Sequence, residues 1–310
     1  MITLLSGQND AKTYRGKVFG GINVTFLAVN GTANDPLTQA ELLVKNLSFT
    51  AQLNRGFEHN ICTLNGDHLG AGVFRDNFDF FNPANTGNQG YQLLIEAAPG
   101  AFETGLVSVF MPFGSPVDVR SMGEITLSAE ASAGIFASTL NQNTSQVTLD
   151  LMPVEGIEVG LPQIVAVPIQ SSETNPYFSG GDGVRSVVFL NRDKSGITTA
   201  NQVLTSANVV SDERSYSLNY NQLLAQRNKM FPWVENSNDR GQSFELLPFN
   251  GDKVYFGVTI NANSNAANVN SAKNYFVCWK SKPSSASVAT GRASLQKRIN
   301  KVQNYYNQSV

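Results

Sequence analysis

Short apolar runs, each bounded by glycine, proline or asparagine, recur along the chain. They read "INVTFLAV", "LLVKNLSFTAQL", "YQLLIEA", "GLVSVFM", "GEITLSAEA" and "QVTLDLM", then "QIVAVPIQ", "RSVVFLN", "SANVVS", "FELLPF", "KVYFGVTI" and "NYFVCWK". Their length, imperfect alternation and flanking breakers predict β-strands. Strand and helix do not alternate regularly, which argues against a parallel doubly wound sheet. Many short strands with long, uneven connections predict an all-β sandwich or jelly roll, in which two sheets bury their inner faces on each other. One helix is expected in "SYSLNYNQLLAQRNK", with Leu218, Leu223 and Leu224 on one side and Ser217 or Asn219 as its cap. A shorter helical turn is expected in "TLNGDHLG", ending at Gly70.

The runs also echo one another in order, which is the signature of an internal repeat. "VTFL" (Val24 to Leu27) matches "VVFL" (Val187 to Leu190), and "LTQAELLV" (Leu37 to Val44) matches "ITTANQVL" (Ile197 to Leu204). "CTLNGDHLG" matches "YSLNYNQLL", and "YQLL" (Tyr91 to Leu94) matches "FELL" (Phe244 to Leu247); beyond them "GLVSVF" and "KVYFGV" take the same place. The reading is two consecutive jelly rolls, residues 1–157 and 158–284, with short helices and a helical tail at 285–310. The surplus of the first unit is expected as an insertion between Pro112 and Gln146.

Composition agrees with this reading. The chain's 310 residues suit two ordinary domains, and a charged fraction of 15% with abundant Phe, Asn, Ser and Thr suits strands joined by polar loops. No run approaches the ~20 apolar residues that span a bilayer. "MITLLSGQND" lacks the basic start and apolar length of a signal peptide. The expected place of assembly is therefore a host cytoplasm. Cys62 and Cys278 lie among apolar strand residues and read as small buried hydrophobes.

Catalytic chemistry is hard to find. His59, Cys62 and His68 loosely match metal-ligand spacing, but a structural zinc site is closed by four ligands and no fourth is evident. Glycine-rich "FSGGDGVR" precedes a strand rather than a helix, so it reads as a turn and not a phosphate cradle. Asp76, Asp79, Glu96 and Glu103 have the right type for glycoside hydrolysis, yet nothing brings two of them together. The Phe74, Phe78, Phe80 and Phe81 cluster fits an interface better than a sugar-stacking platform. The expectation is no catalytic residue, no cofactor and no metal.

Two segments, "LTQAELLVKNLSFTAQLNRGFEHNICTLNGDHL" and "ITTANQVLTSANVVSDERSYSLNYNQLLAQ", each read as strand, turn, strand and short helix. With the doubled plan they give the chain a likeness to one viral design. It resembles the double jelly-roll major capsid proteins of tailless, internal-membrane-containing icosahedral bacteriophages, the corticovirus and tectivirus types and the flavobacterium-infecting lipid-containing phage. That resemblance implies pseudo-hexameric homotrimers tiling a virion shell. Its implied partners are neighbouring trimers, penton or minor capsid proteins and viral membrane lipids, with no specific nucleic acid. A glycan-binding or receptor-binding β-sandwich of the adhesin kind is the alternative, and a glycan-active enzyme the third.

Charge singles out the tail. From Lys253 onward there are eight Lys/Arg and no Asp/Glu, which leaves 14 basic against 24 acidic side chains in residues 1–252. "SSASVATG" reads as a linker, and Ser294 as the cap of a helix from Leu295 to about Tyr306. Leu295, Ile299, Val302 and Tyr306 share one face, while Arg292, Lys297, Arg298 and Lys301 give the segment its charge. A basic amphipathic helix of this kind suits an anionic lipid surface, and packing on a neighbouring subunit is the other expectation.

Overall fold

A computed structural model describes residues 1–29, 31, 47–65, 94–96, 104–121, 123–136, 140–158, 160–191, 201–230, 243–250 and 253–282. Nine strands come first: β1 (Ile2–Leu4), β2 (Asn9–Tyr14), β3 (Val18–Val29), β4 (Leu47–Asn54), β5 (Glu58–Asn65), β6 (Leu94–Glu96), β7 (Thr104–Asp118), β8 (Glu124–Ala131) and β9 (Gln146–Pro153). Eight follow: β10 (Leu161–Pro168), β11 (Tyr177–Gly181), β12 (Val184–Asn191), β13 (Leu204–Val210), β14 (Ser215–Asn219), β15 (Phe244–Leu247), β16 (Val258–Ser264) and β17 (Asn274–Lys282). The helix α1 (Tyr220–Met230) separates β14 from β15.

Strand order identifies the architecture. The first set forms sheets β1-β9-β3-β7-β6 and β2-β8-β4-β5. The second forms β10-β17-β12-β15 and β11-β16-β13-β14. With β6 set aside as an extra edge strand, each half is an eight-stranded jelly roll, and corresponding strands hold the same place in both. The chain is a double jelly roll. Its halves share one sheet, because β5 and β10 lie side by side in parallel through the pair Ile164 and Cys62.

Period-two burial explains most strands. In β4, β8 and β9 alternate residues such as Phe49, Leu127 and Leu149 point inward, with Thr, Ser and Gln between them facing out. Strand β12 departs from the rule, for all eight of its residues are buried. A strand covered on both faces has no polar side. Its Val187 and Phe189 enter the second jelly roll's core, while Val188 and Leu190 join a core shared with the first. The β4–β5 hairpin turns at Gly56, whose φ of 77° is left-handed, and Asn54 Oδ1 accepts a bond from the Gly56 amide at 3.2 Å.

The echoes divide on inspection. "VTFL" and "VVFL" fall on β3 and β12, the same strand of the two rolls, with Phe26 and Phe189 both buried. Leu64 and Leu218 likewise sit in β5 and β14, again corresponding strands. Of "YQLL" only Leu94 lies within the described residues. Leu94 belongs to the extra edge strand β6, whereas "FELL" is β15, the counterpart of β7. "GLVSVF" is in β7, but "KVYFGV" leads into β16, the counterpart of β8. "LTQAELLV" lies outside the described residues.

Three local expectations also change. Thr63, Leu64 and Asn65 end strand β5 rather than forming a helical turn, because β4 offers them a full antiparallel ladder; residues 66–70 are outside the description. Leu218 belongs to β14, and α1 starts only at Tyr220. Asn219 caps it and Ser217 does not: Asn219 Oδ1 accepts from the Gln222 amide at 3.0 Å while Gln222 Oε1 accepts from the Asn219 amide at 2.8 Å. Finally, Pro112 to Gln146 is no insertion. It carries the end of β7 and all of β8, and the surplus lies mostly in residues 66–118, the connection from β5 plus the 15-residue β7, against residues 220–247 with the 4-residue β15.

Candidate assembly surfaces

Two parts of the molecule bring distant segments together on one face: the internal junction between the rolls and its exposed counterpart in the first roll. The junction begins with the linker between β9 and β10. Glu158 is almost buried there and pairs with Arg55 of the β4–β5 hairpin at 2.8 Å. Its other work is to accept the Asp118 amide at 3.0 Å, which ties the end of β7 to the linker. Asp118 in turn binds Arg120; that hydrogen bond, first among the causes, holds the Asp118 carboxyl below its usual range. Ser115 donates to the Gly160 carbonyl at 3.1 Å. The linker is thus held near β10 by side chains of the first roll, and at its β9 end by the Val154 amide donating to the Val18 carbonyl.

Apolar contact completes the junction. Trp279 of β17 is wholly buried, and its indole N–H reaches the Pro112 carbonyl of β7 at 3.4 Å. Phe249 meets the Trp279 ring edge-on, with centroids 6.0 Å apart. Arg185 of β12 donates to the Gly114 carbonyl and lies 5.8 Å over the Phe249 ring. A shallow groove of about 350 Å³ opens beside them, lined by Gly20, Phe110, Pro116, Val154, Arg185 and Phe249. Exposed Phe57 and Ile157 flank the Arg55–Glu158 pair in sequence.

His59 belongs to this junction. It is buried, and its Nε2 lies 2.8 Å from the Pro162 carbonyl of β10. Cys62, on the same strand, is a free buried thiol beside Ile164. Burial pushes both Cys62 and Cys278 up to about 12, as befits small core hydrophobes. Among the described residues no group of three His, Cys, Asp or Glu is placed to hold a metal ion. His68, Asp76, Asp79, Glu103, Phe74, Phe78, Phe80 and Phe81 lie outside the described residues. Glu96 is described only as the end of β6, opposite Thr104. The stretch "FSGGDGVR" is strand β11, a tight turn at Asp182 and Gly183, and the start of β12. A side chain at Gly183 would meet the Ser281 carbonyl at 2.7 Å, which with its φ of 80° explains the glycine. Arg292, Lys297, Arg298 and Lys301 also lie outside the described residues.

A second surface has no signal in single-residue motifs, and sequence reading missed it. The outward residues of β1, β9 and β3 form a cross-strand row, Thr3, Thr148 and Thr25, in direct register. Next to it stand Asp150 and Asn23, then Met152, which is 39% exposed. The signal was present in the echo itself: Thr25 stands where the second unit has Val188.

No protein-family model matches the chain, and no curated protein sequence matches it. Among solved structures, the chain is similar to the major capsid protein P2 from bacteriophage PM2 at 8% identity, with a TM-score of 0.43, over 90% of this chain and 94% of that one. The fold rests on the strand order above, which is more specific than a likeness of that degree.

Proposed function

We propose that this chain is a structural subunit, a major capsid protein that forms pseudo-hexameric homotrimers and tiles an icosahedral virion shell. The supporting observation is the tandem arrangement itself: two jelly rolls, upright in parallel through β5 and β10, held by an apolar and ionic junction. Two rolls at 1–157 and 158–284 make each chain two sides of a six-sided tile, so three chains close it. Neighbouring trimers and penton or minor capsid proteins are its partners. Jelly rolls also serve as lectin domains, so this step is one of fold-level analogy, and glycan binding is the reading to set against it.

Native mass measurement and electron microscopy of the purified chain test the proposal. Trimers that associate into shells or sheets are expected. A monomer at every concentration, salt and pH, stabilised instead by a sugar, would transfer the assignment to the binding alternative.

In this reading the tail of residues 285–310 meets the anionic inner membrane of the virion through Arg292, Lys297, Arg298 and Lys301. A peptide of those residues should bind anionic vesicles less as salt rises. Replacing the four basic residues by Gln should remove that binding and leave trimers intact. A peptide indifferent to anionic vesicles removes the lipid role without touching the trimer.

A further inference from the structure

The two rolls present the same sheet to very different surroundings. In the second, the outward row Ala166, Val277 and Val188 is covered by the first roll, and Trp279 fills the neighbouring position. In the first, register and strand order put Thr3, Thr148 and Thr25 in that row and Asp150 at the Trp279 position. Thr has nearly the shape of Val but tolerates water. A face of half-exposed Thr, Asn and Asp beside an exposed Met152 suits a surface that is wet before assembly and covered after it.

The geometry points to a second copy of this chain as the occupant of that face, seated through its β14–α1 side. Within the chain, β5 runs beside β10 while β7 packs over β10 and β17. The counterparts of β5 and β7 are β14 and β15, and that of β10 is β1. Strand β14 is the edge of its sheet, and β1 is the edge of its own. Carrying the internal junction over to two chains sets β14 of one copy beside β1 of the next, with α1 and β15 over β9. Exposed Ser215, Ser217 and Asn221 give that side a polar surface to match the Thr row. The contact is head-to-tail, so repetition closes a ring or runs on. This inference rests on the self-assembly proposed above and names the surfaces that carry it.

Its test is the double variant Thr3→Arg, Thr148→Arg, at positions whose side chains reach solvent. The expected result is loss of the oligomer by native mass at concentrations where the unaltered chain is assembled, with the circular dichroism of the folded chain retained. A folded variant that keeps the oligomer overturns the inference while leaving the trimer standing. An unaltered chain that is monomeric overturns the self-assembly reading and this inference together. Should the double variant not fold, Thr148→Cys chains are mixed with Asn221→Cys chains and treated with a short bis-maleimide. Covalent dimers confined to the mixture are expected; none in a mixture that is oligomeric by mass overturns the proposal. The native Cys62 and Cys278 are buried and do not compete.

Discussion

Strands β3 and β12 are counterparts with one inward face and two outward fates. Val24 and Phe26 fill the first core as Val187 and Phe189 fill the second. On the other side Thr25 is half-exposed and Val188 fully buried. One methyl exchanged for a hydroxyl separates a face covered by the other roll from one that reaches solvent. The difference teaches that a repeated fold need not repeat its surface: the same strand faces a covered junction in one roll and solvent in the other.

Removing the junction's centre should break the comparison most severely. Trp279→Ala leaves a large void in a core shared by both rolls and is expected to cost about 4 kcal/mol. Urea unfolding at fixed protein concentration measures it, and a broadened or biphasic transition would show the rolls uncoupled. Glu158→Gln comes next. It strands the Arg55 guanidinium, which is mostly buried, at an expected cost of about 3 kcal/mol, the lower end for a broken buried pair because Arg55 keeps some solvent.

Exchanging the counterparts sharpens the comparison directly. Val188→Thr buries a hydroxyl in an apolar environment and should cost about 2 kcal/mol. Thr25→Val changes a wet face and should shift monomer stability by less than about 0.5 kcal/mol. Equal effects from the two exchanges, read as shifts in urea midpoint, would mean that the faces are not in different environments.

How much of this was legible follows from where the information lies. The counterpart strands β3 and β12 were readable because "VTFL" and "VVFL" keep the inward Val and Phe at period two. Strand and helix were confused at Thr63 to Asn65 because a short apolar run with Asn and Gly suits either, and only the ladder with β4 decides. "GLVSVF" and "KVYFGV" matched in pattern yet differ in place, since β7 is long and β15 short, and the repeat's spacing does not reveal which strand was extended. The junction was invisible for a related reason. His59 met Pro162, and Trp279 met Pro112, only because the chain brought distant segments together. A histidine near a cysteine then resembled a ligand pair, although its partner is a backbone carbonyl.

The smallest expected effect concerns pH and separates the ionic part of the junction from its apolar part. Asp118 has its carboxyl below the usual 3.8, chiefly through the hydrogen bond from Arg120. The folded state therefore holds that proton less tightly than the unfolded chain. The stability it adds is complete above about pH 5 and is lost progressively as the pH falls through the lowered value. Asp118→Asn should thus lower the urea midpoint slightly at pH 7 and make its decline toward pH 3 shallower. The amide of residue 118 still reaches Glu158 in this variant, so the linker keeps its anchor. Trp279 and the row of Ala166, Val277 and Val188 carry no charge, and their contribution should not change over the same range. A decline as steep in Asp118→Asn as in the unaltered chain would place the acid sensitivity elsewhere.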